Sequence, residues 1–165
     1  MLYSLQNRKC KGRAETGVTL IEMVIVVTII ALLATIVLGI AASIQNQGNE
    51  RLTENTFALL EGALQEYHDY TGGFPQYRVG AVLVERSETL YAELNRIPSS
   101  RKILEDIGGS LIQNDPLTAD TPEIYDPWGT VLDYRYEQGV ATFPTLISAG
   151  PDRDFFTTAD NITNR

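Results

Sequence analysis

Apolar residues lie along this chain in distinct patterns. Positions 23–49 hold no charged side chain, and 24–42 is almost wholly Val, Ile, Leu, Ala and Thr. At about 1.5 Å per residue, 24–42 makes a helix roughly 28 Å long, close to the thickness of a bilayer's hydrocarbon core. After 49 the apolar residues become periodic. Leu52, Phe57, Leu60, Leu64 and Tyr67 recur at three- to five-residue steps, with Glu50, Glu54, Glu61, Glu66 and Asp69 at other positions. That stripe predicts an amphipathic helix packed along one side. The segment 45–49 is polar but lacks proline, so the helix continues until Thr71-Gly72-Gly73-Phe74-Pro75 stops it. One helix over about 18–70 is predicted. His68, the only histidine, falls near its end, with no second ligand nearby, and reads as a solvated helix residue.

The second half changes period. Two short helices are predicted over 87–95 and 98–107, the second opened by Pro98 and closed by Gly108-Gly109. They offer Leu90, Leu94, Ile103, Leu104 and Ile107 to the long helix. Residues 114–121 read as a polar loop around Pro116. Asp126-Pro127-Trp128-Gly129 suits a type I turn, with aspartate first, proline second and glycine last. Residues 131–137 then alternate as a half-buried strand does, Gln138-Gly139 turns, and 140–148 returns with Pro144 marking an edge or bulge. The fold class is α+β: a long amino-terminal helix, short helices, and a small antiparallel sheet.

Charge divides the chain in the same place. Residues 1–17 carry Arg8, Lys9, Lys11 and Arg13 against Glu15, whereas the remainder holds 9 basic and 20 acidic residues. A basic flank ahead of an apolar span keeps the amino terminus cytoplasmic and sends the rest across the inner membrane. The acidic remainder excludes a nucleic-acid partner, which calls for a basic surface. The only cysteine, Cys10, lies in the basic leader, so no disulfide forms within the chain beyond it.

Glu22 stands out, because a charge in a membrane helix costs about 2.5–3.5 kcal/mol on insertion scales. A secretory signal peptide cut near Ala41-Ala42-Ser43 would have a shorter apolar segment and no such carboxylate. A plain signal anchor explains the span but not Glu22. Gly17-Val18-Thr19-Leu20-Ile21-Glu22, with its basic leader and apolar helix, resembles the processing site of type IV pilins and type II secretion pseudopilins. The resemblance implies a leader of residues 1–17 removed after Gly17 by a prepilin peptidase, and N-methylation at Val18, where many members of the family have phenylalanine. It implies that Glu22 registers an incoming subunit by pairing with its terminal amine, and that Gly39 stands where many pilins have a proline. Residues 18–42 become the transmembrane and assembly segment, and 43–165 an extracytoplasmic domain of pilin-like fold. A glutamate that merely snorkels to the interface is the alternative reading of Glu22.

The turn at 126–129, the strand with Tyr134 and Tyr136, and the run Ser148-Ala149-Gly150-Pro151-Asp152 resemble the major pseudopilin of type II secretion. That subunit carries a carboxy-terminal calcium loop. The resemblance implies Ser148, Asp152 and Asp160 as calcium ligands here, with Asp154 or Asn161 as substitutes. An acidic solvated loop capped by its own turn residues is the other reading, and the spacing is not that of an EF-hand.

Three functions are weighed. A pseudopilin is a non-enzymatic subunit of a periplasmic filament, partnered by its own copies, minor pseudopilins, an inner-membrane assembly platform and lipid. A type IV pilin builds surface fibres and commonly closes its carboxy-terminal loop with a disulfide, which this chain cannot form. A membrane-anchored enzyme or sensor would need a catalytic or ligand-binding set, and none is found in the sequence.

Overall fold

The structure, a computed structural model, describes residues 17–114 and 121–165, and of residues 39–42 the backbone alone. The leader residues 1–16 with Cys10, and most of the loop expected over 114–121, lie outside the described residues. The chain divides into two units, Met1–Ala42 and Ser43–Arg165.

Helix α1, Leu20–Thr71, is continuous over 52 residues. Over residues 17–38 none of the side chains packs inside the protein: each is exposed. It contains an 18-residue window of mean hydropathy 3.0, none of it buried, and is long and apolar enough to cross a membrane. The polar positions in that stretch are satisfied locally. The Thr28 hydroxyl donates to the Val24 carbonyl at 2.7 Å and that of Thr35 to Ala31 at 2.9 Å. Hydroxyls bonded back one turn in this way can enter an apolar phase.

In the second unit the same helix becomes one wall of a core. Phe57, Leu60, Ala63 and Leu64 are buried, with Thr53 and Thr56 beside them. Leu52, expected in the stripe, is 43% exposed. Five residues before Phe57 it lies about 140° round the helix from it, and Thr53 takes the inward position instead. The helix stops at Thr71, where Gly72 adopts φ +79° and donates its N–H to the His68 carbonyl. The His68 ring is not simply solvated, since it lies 4.7 Å from the Phe74 ring. Phe74 in turn meets Tyr136 and Phe143 edge-on.

Helix α2, Leu83–Arg96, and helix α3, Pro98–Leu104, lay Leu90, Leu94 and Leu104 on that wall. Ile107 joins the core, while Ile103 is only partly buried. Ser100 donates to the Ala63 carbonyl at 2.8 Å, pinning α3 to α1. Strands β1, Ile112–Gln113, and β2, Glu123–Ile124, pair antiparallel. A second sheet has the order β3-β4-β5, built from Asp133–Arg135, Thr145–Ser148 and Ile162–Thr163, again antiparallel. Tyr134 is fully buried at its centre and donates its hydroxyl to the Pro75 carbonyl. A long helix, short helices and a small antiparallel sheet make this the pilin-like α+β fold expected from the sequence.

The hairpin differs in detail from the expectation. Its strands are shorter than 131–137 and 140–148, because the chain turns tightly at 137–141, where Val140 and Ala141 both donate to the Glu137 carbonyl. Pro144, which has no N–H to give, precedes the first residue of β4. The turn at 126–129 closes with the Gly129 N–H on the Asp126 carbonyl at 3.0 Å.

Candidate functional site

The head of α1 is built from four residues. Gly17 and Val18 precede the helix, Thr19 occupies its N-cap and Glu22 its third helical position. The Glu22 carboxylate folds back so that Oε2 accepts the Thr19 N–H at 2.7 Å and the Thr19 hydroxyl at 2.8 Å. The Glu22 N–H reaches the Thr19 Oγ1 at 3.3 Å, and the first helical bond runs from the Met23 N–H to the Thr19 carbonyl. This is a capping box: reciprocal side-chain bonds satisfy donors that a helix start leaves open. Glu22 also lies in the first turn, where the helix dipole favours an anion.

The sequence reasoning found Glu22 but not Thr19, although the spacing T-x-x-E was there to read. Only one carboxylate oxygen is used by these bonds. The other, Oε1, accepts no hydrogen bond from the described residues, and on an exposed residue it can accept a further donor. Gly17 is informative in a different way. A Cβ built on it meets nothing within 4 Å, and its φ lies outside the left-handed region. The fold therefore makes no demand for glycine at this position.

The tail loop was the second expected site, and its residues are employed differently from one another. Ser148 is fully buried and donates its hydroxyl to Asp126 Oδ2 at 2.7 Å, while the Gly150 N–H donates to Ser148 Oγ. Asp152 and Asp154 are exposed, and each accepts the N–H two residues on, from Asp154 and Phe156. Asp160 and Asn161 each hold a buried Oδ1 with no hydrogen-bond donor. Among the described residues no three Asp, Glu, His or Cys side chains converge.

Comparison with known proteins bears on the first site. Residues 12–38 match the family model described as the prokaryotic N-terminal methylation motif. No curated protein and no solved structure matches the chain. The matched stretch holds Gly17, Val18, Thr19 and Glu22 together with the apolar part of α1 as far as Leu38. It supports a type IV pilin-like or pseudopilin subunit, a class whose motif implies processing by a prepilin peptidase and assembly into pilin-type filaments.

Proposed function

We propose that this chain is a structural, non-enzymatic subunit of a type II secretion pseudopilus, closest in kind to the major pseudopilin. It is cut after Gly17, methylated on the new amine of Val18, and polymerises through α1 to drive protein export. The observation that carries this reading is the capped Glu22 at the head of an apolar helical stretch exposed over residues 20–38, inside the matched motif. In a monomer that helix has only lipid to bury its side chains. In a filament the lipid is replaced by neighbouring copies of α1, and Glu22 Oε1 accepts the positive terminal amine of one of them, an attraction that a low-dielectric setting strengthens. The chain sits in the inner membrane with its amino terminus cytoplasmic and residues 43–165 periplasmic. Minor pseudopilins and a membrane assembly platform are its further partners. The lack of any cysteine beyond Cys10 favours the pseudopilus over a surface fibre closed by a disulfide.

Calcium belongs to the same proposal. The donorless oxygens of Asp160 and Asn161 suit a hard cation, which takes carboxylate and amide oxygens in flexible geometry. These two residues would hold the ion, Asp152 and Asp154 lie on the same loop, and the ion's charge would stiffen the tail. A thermal melt with calcium and then with EDTA checks it, and an unmoved midpoint removes the ion from the account.

The decisive experiment is amino-terminal and intact mass spectrometry of the protein taken from its native membrane. A chain starting at Val18 with one added methyl group is expected. A start near Ser43 would mean an ordinary signal peptide, and retention of residues 1–17 a plain anchor; either result overturns the reading.

A further inference from the structure

The turn at 126–129 contains more polar engineering than a turn requires. Asp126 is 2% exposed, yet its carboxylate is fully employed. Oδ1 accepts the N–H of Trp128 at 3.1 Å and that of Thr130 at 2.8 Å. Oδ2 accepts the hydroxyl of Ser148, which itself accepts the Gly150 N–H at 3.1 Å. On the other side of the turn the Trp128 indole N–H donates to Asn46 Oδ1 on α1 at 3.4 Å. An unbroken series of bonds therefore runs from the start of the tail loop, through a buried carboxylate, to the helix just inside the second unit.

We propose that this series is a relay, in which Asp126 transmits the state of the tail loop to the root of the helix at Asn46. Two features make it a relay rather than a set of independent props. The input is closely packed, because the Asp160 carbonyl occupies the place where a Cβ on Gly150 would stand. Ser148 is also paired with Ile162 across β4 and β5, so a shift in either arm of the loop reaches its hydroxyl. The output is the weakest bond of the series, at a length where a hydrogen bond is easily broken. When Ser148 no longer donates, a buried carboxylate oxygen is left unsatisfied. Asp126 then gains by turning toward water, which loosens the turn it holds and draws the indole from Asn46. The tail loop and the helix root thus share two joint arrangements, made and broken together. The proposal does not rest on the filament reading or on calcium.

Trp128 is the sole tryptophan, so its fluorescence reports the output alone. The experiment uses the full chain in detergent micelles. Ser148→Ala removes the input without touching the indole. It is expected to raise acrylamide quenching of Trp128 by as much as Asn46→Ala does, and the double variant is expected to show no further rise. Coupling of this kind is reciprocal. Asn46→Ala, a change at an exposed side chain, is therefore expected to speed amide hydrogen exchange at Gly150 several-fold. Should Ser148→Ala fail to fold, Ser148→Cys keeps the side-chain shape with a slightly larger and weaker donor, and the exchange measurement on Asn46→Ala stands alone. Wild-type exchange at Gly150 in Asn46→Ala, or quenching effects that simply add, would overturn the relay.

Discussion

Glu22 is stabilised within its own chain by Thr19, which supplies two donors to a single carboxylate oxygen. Threonine at an N-cap is worth about 1 kcal/mol of helix stability. The same contact holds the carboxylate at the helix head through one oxygen, leaving the second without a donor among the described residues. Thr19→Val should therefore leave cleavage after Gly17 intact while reducing filament yield. Glu22→Ala should be cleaved equally well and form no filaments. Amino-terminal mass and electron microscopy of sheared or overproduced filaments read both, and normal filaments from Glu22→Ala would sink the registry role. At this scale the sequence was most legible where function is local. Gly17, Val18 and Glu22 stand in one short run ahead of the apolar stretch, inside the matched motif. Asp126, Ser148 and Asn46 do not; what joins them are contacts between residues far apart in sequence, 22 positions for Ser148 with Asp126 and 82 for Trp128 with Asn46, and no spacing rule predicts such contacts.

Among the elements, two of the polar contacts that tie α2 to its neighbours differ in character. The first is the Tyr67 hydroxyl on Glu93 Oε2 at 2.9 Å, joining α1 to α2. Burial, and then the hydrogen bond and charge of Glu93, push the Tyr67 hydroxyl up to about 12, and burial raises that of Tyr134 as well. Tyrosine in an unfolded chain titrates near about 10. A proton held more tightly in the folded state gives stability that is complete below the unfolded value and is lost as pH rises through the folded one. The melting midpoint should fall between pH about 10 and about 12. Tyr67→Phe should make that fall shallower, as calorimetry across the alkaline range would show. The second contact is ionic. Asp133 on β3 is 1% exposed and lies 2.6 Å from Arg86 Nη2 on α2 and 2.7 Å from Arg135 Nε. Breaking a buried pair leaves an uncompensated charge, so Asp133→Ala should cost about 3–5 kcal/mol in urea unfolding. Arg135 is 55% exposed, and Arg135→Ala should cost under about 1 kcal/mol. Equal losses from the two changes would contradict this ranking. The helices of this layer were legible from their apolar periods. Strands β1, β2 and β5 were not, because two residues are too few to show an alternation, and each exists only through the partner it pairs with.

For the molecule as a whole, the two units answer to different surroundings, and Gly17 separates their requirements. The division at Ala42 and Ser43 falls where the apolar run gives way to polar positions, a change visible in the sequence itself. Residues 43–165 carry their own core, whereas the apolar side chains of 18–38 find no cover within the chain. Among the described residues nothing lies within 4 Å of where a Cβ at Gly17 would stand. If glycine is needed there, the need comes from another protein that must approach the backbone closely, as a peptidase does. Gly17→Leu should accordingly separate folding from processing. The variant is expected to insert in the membrane, to melt at the wild-type midpoint, and to keep residues 1–17. Without a free amine at Val18, Glu22 of a neighbouring copy has nothing to pair with, so the variant should remain unassembled although its apolar helix is unchanged. Mass, melting midpoint and filament yield are measured on the same preparation. A normally processed variant would remove Gly17 from the cleavage site. An unprocessed variant that still assembles would show that helix packing alone suffices and that the pairing of amine with Glu22 does not direct it.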